Sequence, residues 1–374
     1  MRPTWVEVDT DAIADNLRVV RNALPQGAKV MAVVKADGYG HGAVPVAQAA
    51  IEAGAEFLGV ALVEEGIALR RAGITRPILY METLFPWQAS ELVEAGLTAT
   101  VASFECADLL EEAAARLRRK VPVHIKVDTG MGRLGLSPSE IPALVAHVSR
   151  LPHLELEGIF THLACAECDD DITRQQLGKF SDLLDQLKRE GYDIPIAHAA
   201  NSAAAMQVAD SAFDMVRVGA AMYGISPNGT GPLYPGLRPA LSFITKVSYV
   251  KTVCAGTTVS YGATYRCRCT ETIATLPVGY ADGYSRALSS KGQVILGGQR
   301  RPIVGRVCMD QTMIAVPPDV PVRVGDEVVL IGAQGSERIT VEEVAAITGT
   351  ISYEVVCSIS KRVPRVYTGK QQGI

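Results

Sequence analysis

The sequence predicts a two-domain protein of the α/β class: an N-terminal (β/α)8 barrel over residues 1–237 and a C-terminal all-β domain over residues 238–374. Three observations lead there. Eight short apolar runs recur through the first 220 residues, with amphipathic or Ala/Leu/Glu-rich stretches between most neighbours. Side chains able to do chemistry stand at the downstream ends of several runs, which is where a parallel barrel gathers its active site. After Leu237 the pattern changes to short β-branched runs divided by Gly, Pro and Asp turns.

In chain order, Thr10–Leu24 reads as a helix, with Thr10 as N-cap and Ile13, Leu17 and Val20 on one apolar face. The expected barrel strands are Val30–Lys35, Phe57–Ala61, Pro77–Tyr80, Ala99–Ala102, Val121–Val127, Leu154–His162, Ile194–His198 and Met215–Val218. Gly231–Pro239 is rich in glycine and proline and forms the natural junction. Beyond it, Phe243–Val253, Thr272–Val278, Gln293–Leu296, Ile314–Val316 and Val328–Ile331 read as strands, and Thr340–Thr348 as one late helix.

Bulk properties narrow the function. A chain of 374 residues that is 48% hydrophobic and 20% charged can bury a large core. A formal net charge of −4 and the lack of any Lys/Arg-rich tract argue against nucleic acid. The start lacks a signal-peptide apolar region, and no stretch approaches a membrane span, so a cytoplasmic protein is expected. Cys165-x-x-Cys168 and Cys267-x-Cys269 lie about 100 residues apart without zinc-ribbon spacing, so the eight cysteines read as reduced thiols and no metal is expected.

Lys35 closes the first barrel run, where its amine points toward the barrel mouth. A desolvated lysine there is a Schiff-base candidate, while a lysine paired with Asp37 fits position alone equally well. Arg217-Val218-Gly219-Ala220 ends the eighth run and Asn201-Ser202 follows the seventh, and barrels commonly bind phosphate on those two loops. Ser202 with the amides near Gly219 and Ala220 makes one phosphate cradle. His162 ends the sixth run and Arg133 follows the fifth. Taken singly, each has a plainer reading: a core histidine, or an Arg217 paired with Asp214.

Together the motifs Ala32–Gly42, Asp128–Gly135, Thr161–His162, Asn201–Ser202, Arg217–Gly219, Ser260–Gly262, Gly279–Gly283, Met309–Asp310 and Ile351–Glu354 resemble, in order and across the chain, the alanine racemase family of fold-type III pyridoxal-phosphate enzymes. The resemblance implies that Lys35 carries pyridoxal 5'-phosphate as a Schiff base and is the base on the D-alanine face, with Tyr261 serving the L-alanine face. A phenol must be made more acidic to act as a base at neutral pH, and the resemblance sets Tyr261 beside His162 and His162 beside Arg217. It also sets Arg217 against the cofactor's pyridine nitrogen. An arginine there leaves that nitrogen unprotonated, which disfavours transamination and decarboxylation.

By the same resemblance, Tyr39 and Tyr353 belong to the phosphate side, while Arg133 and the Met309 backbone hold the substrate carboxylate. Asp310 and Tyr280 support the site. Lys126, seven residues before Arg133, stands where many family members carry a carbamylated lysine. An anion there orients the Arg133 guanidinium. The protein is implied to be a homodimer with shared sites, acting on alanine and supplying D-alanine for peptidoglycan. Two alternatives bear weighing. A serine or broad-specificity racemase is disfavoured by Asp310, which serine-acting relatives tend to replace with asparagine. A non-catalytic pyridoxal-phosphate-binding homeostasis protein would lack a β domain carrying Tyr261 and Met309.

Overall fold

Strand β1 (Thr4–Asp9) opens the chain and pairs with strands that come more than 230 residues later, not with the barrel strands that follow it. The computed structural model describes residues 2–227, 229 and 231–369. It divides into two compact units. One holds Ala14–Gly38 and Ala43–Met222; the other holds the N-terminal segment through Ile13, Tyr39–Gly42, and the chain from Tyr223 onward.

The first unit is the barrel. Strands β2 (Lys29–Val33), β3 (Phe57–Val60), β4 (Ile78–Tyr80), β5 (Thr98–Val101), β6 (Val121–Lys126), β7 (Leu154–Phe160), β8 (Ile196–His198) and β9 (Met215–Val218) follow the eight expected runs. All neighbours pair in parallel, from β3 through β8 in chain order, with β9 closing onto β2. The remaining seam is bridged by Asp214 N–H to Ala197 O and Arg217 N–H to Ala200 O, each 3.0 Å, so the barrel is nearly closed. Helices between strands bury one face, and two of them are capped by side chains that the sequence supplies: Ser103 accepts from Cys106 N–H before Phe104–Leu117, and Asp169 from Ile172 N–H before Asp170–Arg189.

A barrel interior is ordinarily filled by layers of branched apolar side chains. Here Met31, Phe57, Leu79, Ile196 and Met215 form one such cluster. His124, Lys126, His198 and Arg217 are also buried within the strands. Such groups persist inside a core only when their hydrogen bonds are satisfied.

The second unit is rich in sheet. Its further strands are β10 (Leu241–Lys246), β11 (Tyr249–Val253), β12 (Thr258–Val259), β13 (Tyr265–Arg266), β14 (Glu271–Leu276), β15 (Gln293–Leu296), β16 (Gln299–Pro302), β17 (Thr312–Val316), β18 (Glu327–Gln334), β19 (Glu337–Ile339) and β20 (Arg365–Thr368). The largest sheet runs β16-β15-β18-β10-β1-β20 with β19 beside β18; β11-β14-β17 and β12-β13 make two smaller ones. The expected run Phe243–Val253 is two strands, because Val247 donates to Asp326 O and Ser248 to Thr275 O instead of continuing one ladder.

The C-terminal part is the sheet-dominated domain expected, with a second helix, Ser352–Cys357, besides Val341–Thr348. The division does not follow one cut at residue 237, since β1 completes the large sheet between β10 and β20. Tyr39–Gly42 packs with the same unit: a Cβ on Gly40 would lie 2.4 Å from Val356 O, and Arg365 Nε donates to Gly40 O at 3.0 Å. No helix among the described residues is long and apolar enough to cross a membrane.

Candidate active site

Lys35 lies two residues beyond β2, not within it as the apolar run suggests, and is half-buried. The backbone after it is unusual. Ala36, Asp37, Gly38 and Tyr39 have φ of 52°, 53°, 61° and 53°, a left-handed turn that costs L-residues roughly 1–2 kcal/mol each. Three groups hold it. Glu65 Oε1 accepts from Ala36 N–H at 2.6 Å, Val34 O accepts from Gly38 N–H at 2.9 Å, and Asp37 Oδ1 accepts from Ala43 N–H at 2.9 Å. Glu65 also accepts from Ala61 and Leu62 N–H, so one carboxylate ties the end of β3 to the residue after Lys35.

Arg217 on β9 is 4% exposed and has no carboxylate partner among the described residues. It donates from Nη2 to Thr161 O and Ala199 O, each 2.8 Å, and to His162 Nδ1 at 3.1 Å. From Nη1 it donates to His198 Nδ1 at 2.9 Å, and its guanidinium lies over the Phe160 ring at 5.5 Å. Asp214, the acid that the sequence offers as a plain partner, instead accepts from Ala197 N–H. Burial, then the charge of Arg133, brings the Arg217 pKa down to about 9, which leaves it a cation at neutral pH.

His162 is held far below the usual histidine range, by burial first and then by Arg217, Arg133, Lys126 and Lys35. It is therefore neutral, and because Nδ1 accepts from Arg217 its proton sits on Nε2. Gln176, buried on the helix Asp170–Arg189, donates to His162 O at 3.0 Å and Thr129 Oγ1 at 3.2 Å. Lys126 at the end of β6 is 4% exposed, donates to Val127 O at 2.9 Å, and lies 5.2 Å over Phe160. Burial and the cations Arg217 and Arg133 lower its pKa to about 7, with Asp128 opposing.

Asp128 accepts from Gly130 and Gly132 N–H. Partial burial works against its charge, but backbone donors from Gly132, Gly130 and Met131 and the charge of Lys126 hold the carboxyl below its ordinary range. Four cationic side chains therefore act on His162, with Asp128 as the acid at Lys126. Such a site favours anionic ligands.

At the ends of β8 and β9, Ser202 Oγ accepts from Gly219 N–H at 3.0 Å and Ala221 N–H at 3.3 Å. Asn201 caps the short helix Ser202–Gln207 by accepting from Ala204 N–H at 3.0 Å. Backbone donors on both sides of Ala220 thus converge on one oxygen, the arrangement a phosphate oxygen needs. A half-buried lysine, a cation cluster and this cradle fit the donor set that pyridoxal phosphate requires.

The remaining expected residues lie in the sheet-rich unit. Tyr39 stacks on Tyr223 at 4.7 Å and lies 6.0 Å from Tyr353, whose hydroxyl donates to Pro227 O. Burial, then Tyr353 and Cys357, pushes the Tyr39 phenol up, so it is a neutral donor. Tyr261 is 74% exposed on a loop with positive φ at Ser260, Gly262 and Ala263; Met309 and Tyr280 are exposed as well. The Gly279–Gly283 and Met309–Asp310 motifs pack together. Tyr280 N–H donates to Cys308 O and Ala281 N–H to Met309 O, each 3.0 Å, and Arg362 bridges Asp282 and Asp310. A Cβ on Gly279 would meet Cys308 O at 2.2 Å, which explains the glycine. Asp310 is thus an exposed ion-pair partner of Arg362.

His124, His198, Glu157, Gln176 and Glu65 carry interactions here that the motifs did not single out. Strand periodicity was the available signal, since His124 precedes Lys126 by two residues and shares its face.

The family model for the alanine racemase N-terminal domain matches residues 8–227, and that for the alanine racemase C-terminal domain matches residues 240–367. An alanine racemase from Symbiobacterium thermophilum is 52% identical over 99% of this chain and 98% of its own. Among solved structures, alanine racemase from Clostridium difficile 630 superposes with a TM-score of 0.93 at 39% identity, covering 99% of this chain and 97% of that one. The Bacillus anthracis alanine racemase with bound L-Ala-P gives a TM-score of 0.93 at 42% identity, covering 100% and 96%. Matched along both domains and in fold, this chain belongs to the alanine racemase family of pyridoxal-phosphate-dependent isomerases.

Proposed function

We propose that this chain interconverts L- and D-alanine with two bases, Lys35 on the D-face and Tyr261 of the partner subunit on the L-face. The observation that carries the proposal is the cation cluster around a neutral His162 beside the amide cradle at Ser202. Pyridoxal phosphate, bound through the Lys35 amine, supplies the electron sink that makes an amino acid's Cα–H removable. Ser202, Asn201 and the backbone of Gly219 and Ala220 would hold the phosphate, with the Tyr39 hydroxyl as a neutral donor and Tyr353 on the same side. Arg217 would meet the pyridine nitrogen as a hydrogen-bond donor that, as a cation at neutral pH, keeps its proton.

Racemisation requires one group to take the Cα proton and another to return one to the opposite face, and an amine and a phenol can each act in either sense. Arg133 and the Met309 backbone of the partner subunit bind the substrate carboxylate. Lys126, brought to about 7 and surrounded by cations, has the neutral amine that carbamylation by CO2 needs, and the resulting anion lies among the charges of Arg133 and Arg217. Two shared sites make the functional protein a homodimer, consistent with the exposed Tyr261, Met309 and Tyr280. Its D-alanine feeds peptidoglycan, in the cytoplasm. Incubation with L-alanine and pyridoxal phosphate, followed by chiral separation, tests the assignment: D-alanine is the expected product, and its absence with the cofactor bound overturns it.

A further inference from the structure

Two fully buried histidines join Arg217 to a carboxylate at the edge of the barrel core, and the proposed chemistry uses neither. Arg217 Nη1 meets His198 Nδ1 at 2.9 Å, His198 Nε2 meets His124 Nδ1 at 2.8 Å, and His124 Nε2 meets Glu157 Oε2 at 3.1 Å. Both imidazoles have 0% exposure, whereas the Glu157 side chain keeps 26%.

The direction of this file is fixed at both ends. A guanidinium has only donors, so His198 Nδ1 must accept and its proton sits on Nε2. His198 then donates to His124 Nδ1, which places the second proton on His124 Nε2, facing a carboxylate that can only accept. Burial lowers the pKa of both imidazoles, helped by Arg217, with Glu157 pulling His124 the other way without overcoming it, so each stays neutral and carries one proton at neutral pH. Reversing either tautomer would set N–H against N–H.

The surroundings are shaped around the file. His198 stacks on Phe160 at 4.7 Å and 5°, and a Cβ on Gly158 would lie 2.5 Å from two atoms of the His124 ring. β6 and β7 shift register between Val123 and His124, where His124 comes opposite Gly158.

We propose that Glu157 is a positioning residue for racemisation, acting through the tautomers of His124 and His198 to hold Arg217 in the orientation that presents its guanidinium to the cofactor's pyridine nitrogen. This rests on the reading of Arg217 given above. Without an acceptor at position 157 only the Arg217 end still fixes the tautomers, and the reversed pair, with His124 and His198 each donating from Nδ1, becomes accessible when Arg217 Nη1 turns to its other acceptor, His198 O. That places a donor against Arg217 Nη1 and turns the guanidinium away. Loss of an outer partner that fixes a histidine tautomer costs on the order of 10–100-fold in activity at metal-binding histidines, and the same tautomer logic applies to this metal-free file.

The test uses full-length protein loaded with pyridoxal phosphate, with histidine 15N-labelled, and compares wild type, Glu157→Leu and Glu157→Gln by 15N NMR and alanine kinetics. Wild type is expected to show His124 and His198 as single neutral tautomers protonated at Nε2. Glu157→Leu is expected to mix the tautomers of both histidines and lower kcat by about tenfold or more with KM for alanine little changed. Glu157→Gln, which keeps an oxygen acceptor, is expected to restore both. Unmixed tautomers in Glu157→Leu, or wild-type kcat despite mixing, would overturn the proposal, as would a Gln variant as slow as Leu with wild-type tautomers. Far-UV circular dichroism separates a folding defect; should Leu not fold, Glu157→Met takes its place. The tautomer readout needs no turnover, so it stands apart from failure of the racemase reading itself.

Discussion

Arg217 Nη2 donates to His162 Nδ1 at 3.1 Å, so a permanent cation fixes a neutral imidazole in one tautomer. Among the described residues Arg217 has no acid to neutralise it, and its other partners are main-chain carbonyls and a second neutral histidine. Replacing Arg217 with glutamate would reverse the charge at the pyridine position and set an acceptor against His162 Nδ1. We predict a loss in kcat of about a hundredfold or more, together with new products from transamination when the variant is incubated with alanine. Product analysis by chiral chromatography and a pyruvate assay checks this.

The second prediction concerns acid stability. His124 and His198 have folded-state pKa values lowered from 6.5, so below that value the unfolded chain binds protons that the folded chain refuses. Stability must therefore fall as pH drops below about 6.5, by up to about 1.4 kcal/mol per pH unit for each histidine. Urea unfolding between pH 5 and 7.5 should show this slope, and His198→Gln should flatten it.

Gly158→Ala adds a Cβ 2.5 Å from the ring of His124, which is fully buried and hydrogen-bonded at both nitrogens. A destabilisation of about 1–3 kcal/mol is expected, read as a lower urea midpoint with unchanged slope. A fully wild-type midpoint would mean that the His124 ring yields space freely.

Removing the Glu65 carboxylate by Glu65→Ala takes away the acceptor of Ala36 N–H and the tie to Ala61 and Leu62. The expected cost is about 1–2 kcal/mol, with weaker retention of pyridoxal phosphate on dialysis because Lys35 adjoins the released turn. Glu65→Gln, which keeps one acceptor oxygen, should recover part of both.

Much of this was legible in the sequence for physical reasons. Barrel strands buried on both faces read as apolar runs, and Lys35, His162, Arg217 and Ser202 all follow or end such runs. Other features were hidden because the contacts that create them are distant in sequence. β1 looks like an isolated segment until β10 and β20 flank it. The histidine file, from Glu157 through His124 and His198 to Arg217, spans four strands, so no local motif announces it. The left-handed turn after Lys35 depends on Glu65, which lies 30 residues downstream, and only Gly38 hinted at it.

The most direct test of the two-base account is alanine exchange in D2O with wild type and Tyr261→Phe, starting separately from each enantiomer. Wild type should equilibrate both with deuterium at Cα. Tyr261→Phe should lose racemisation and L-alanine exchange by about a hundredfold or more, yet still exchange the Cα proton of D-alanine through Lys35. Equal exchange from both enantiomers in the variant, at the wild-type rate, would contradict the assignment of the two faces to Lys35 and Tyr261.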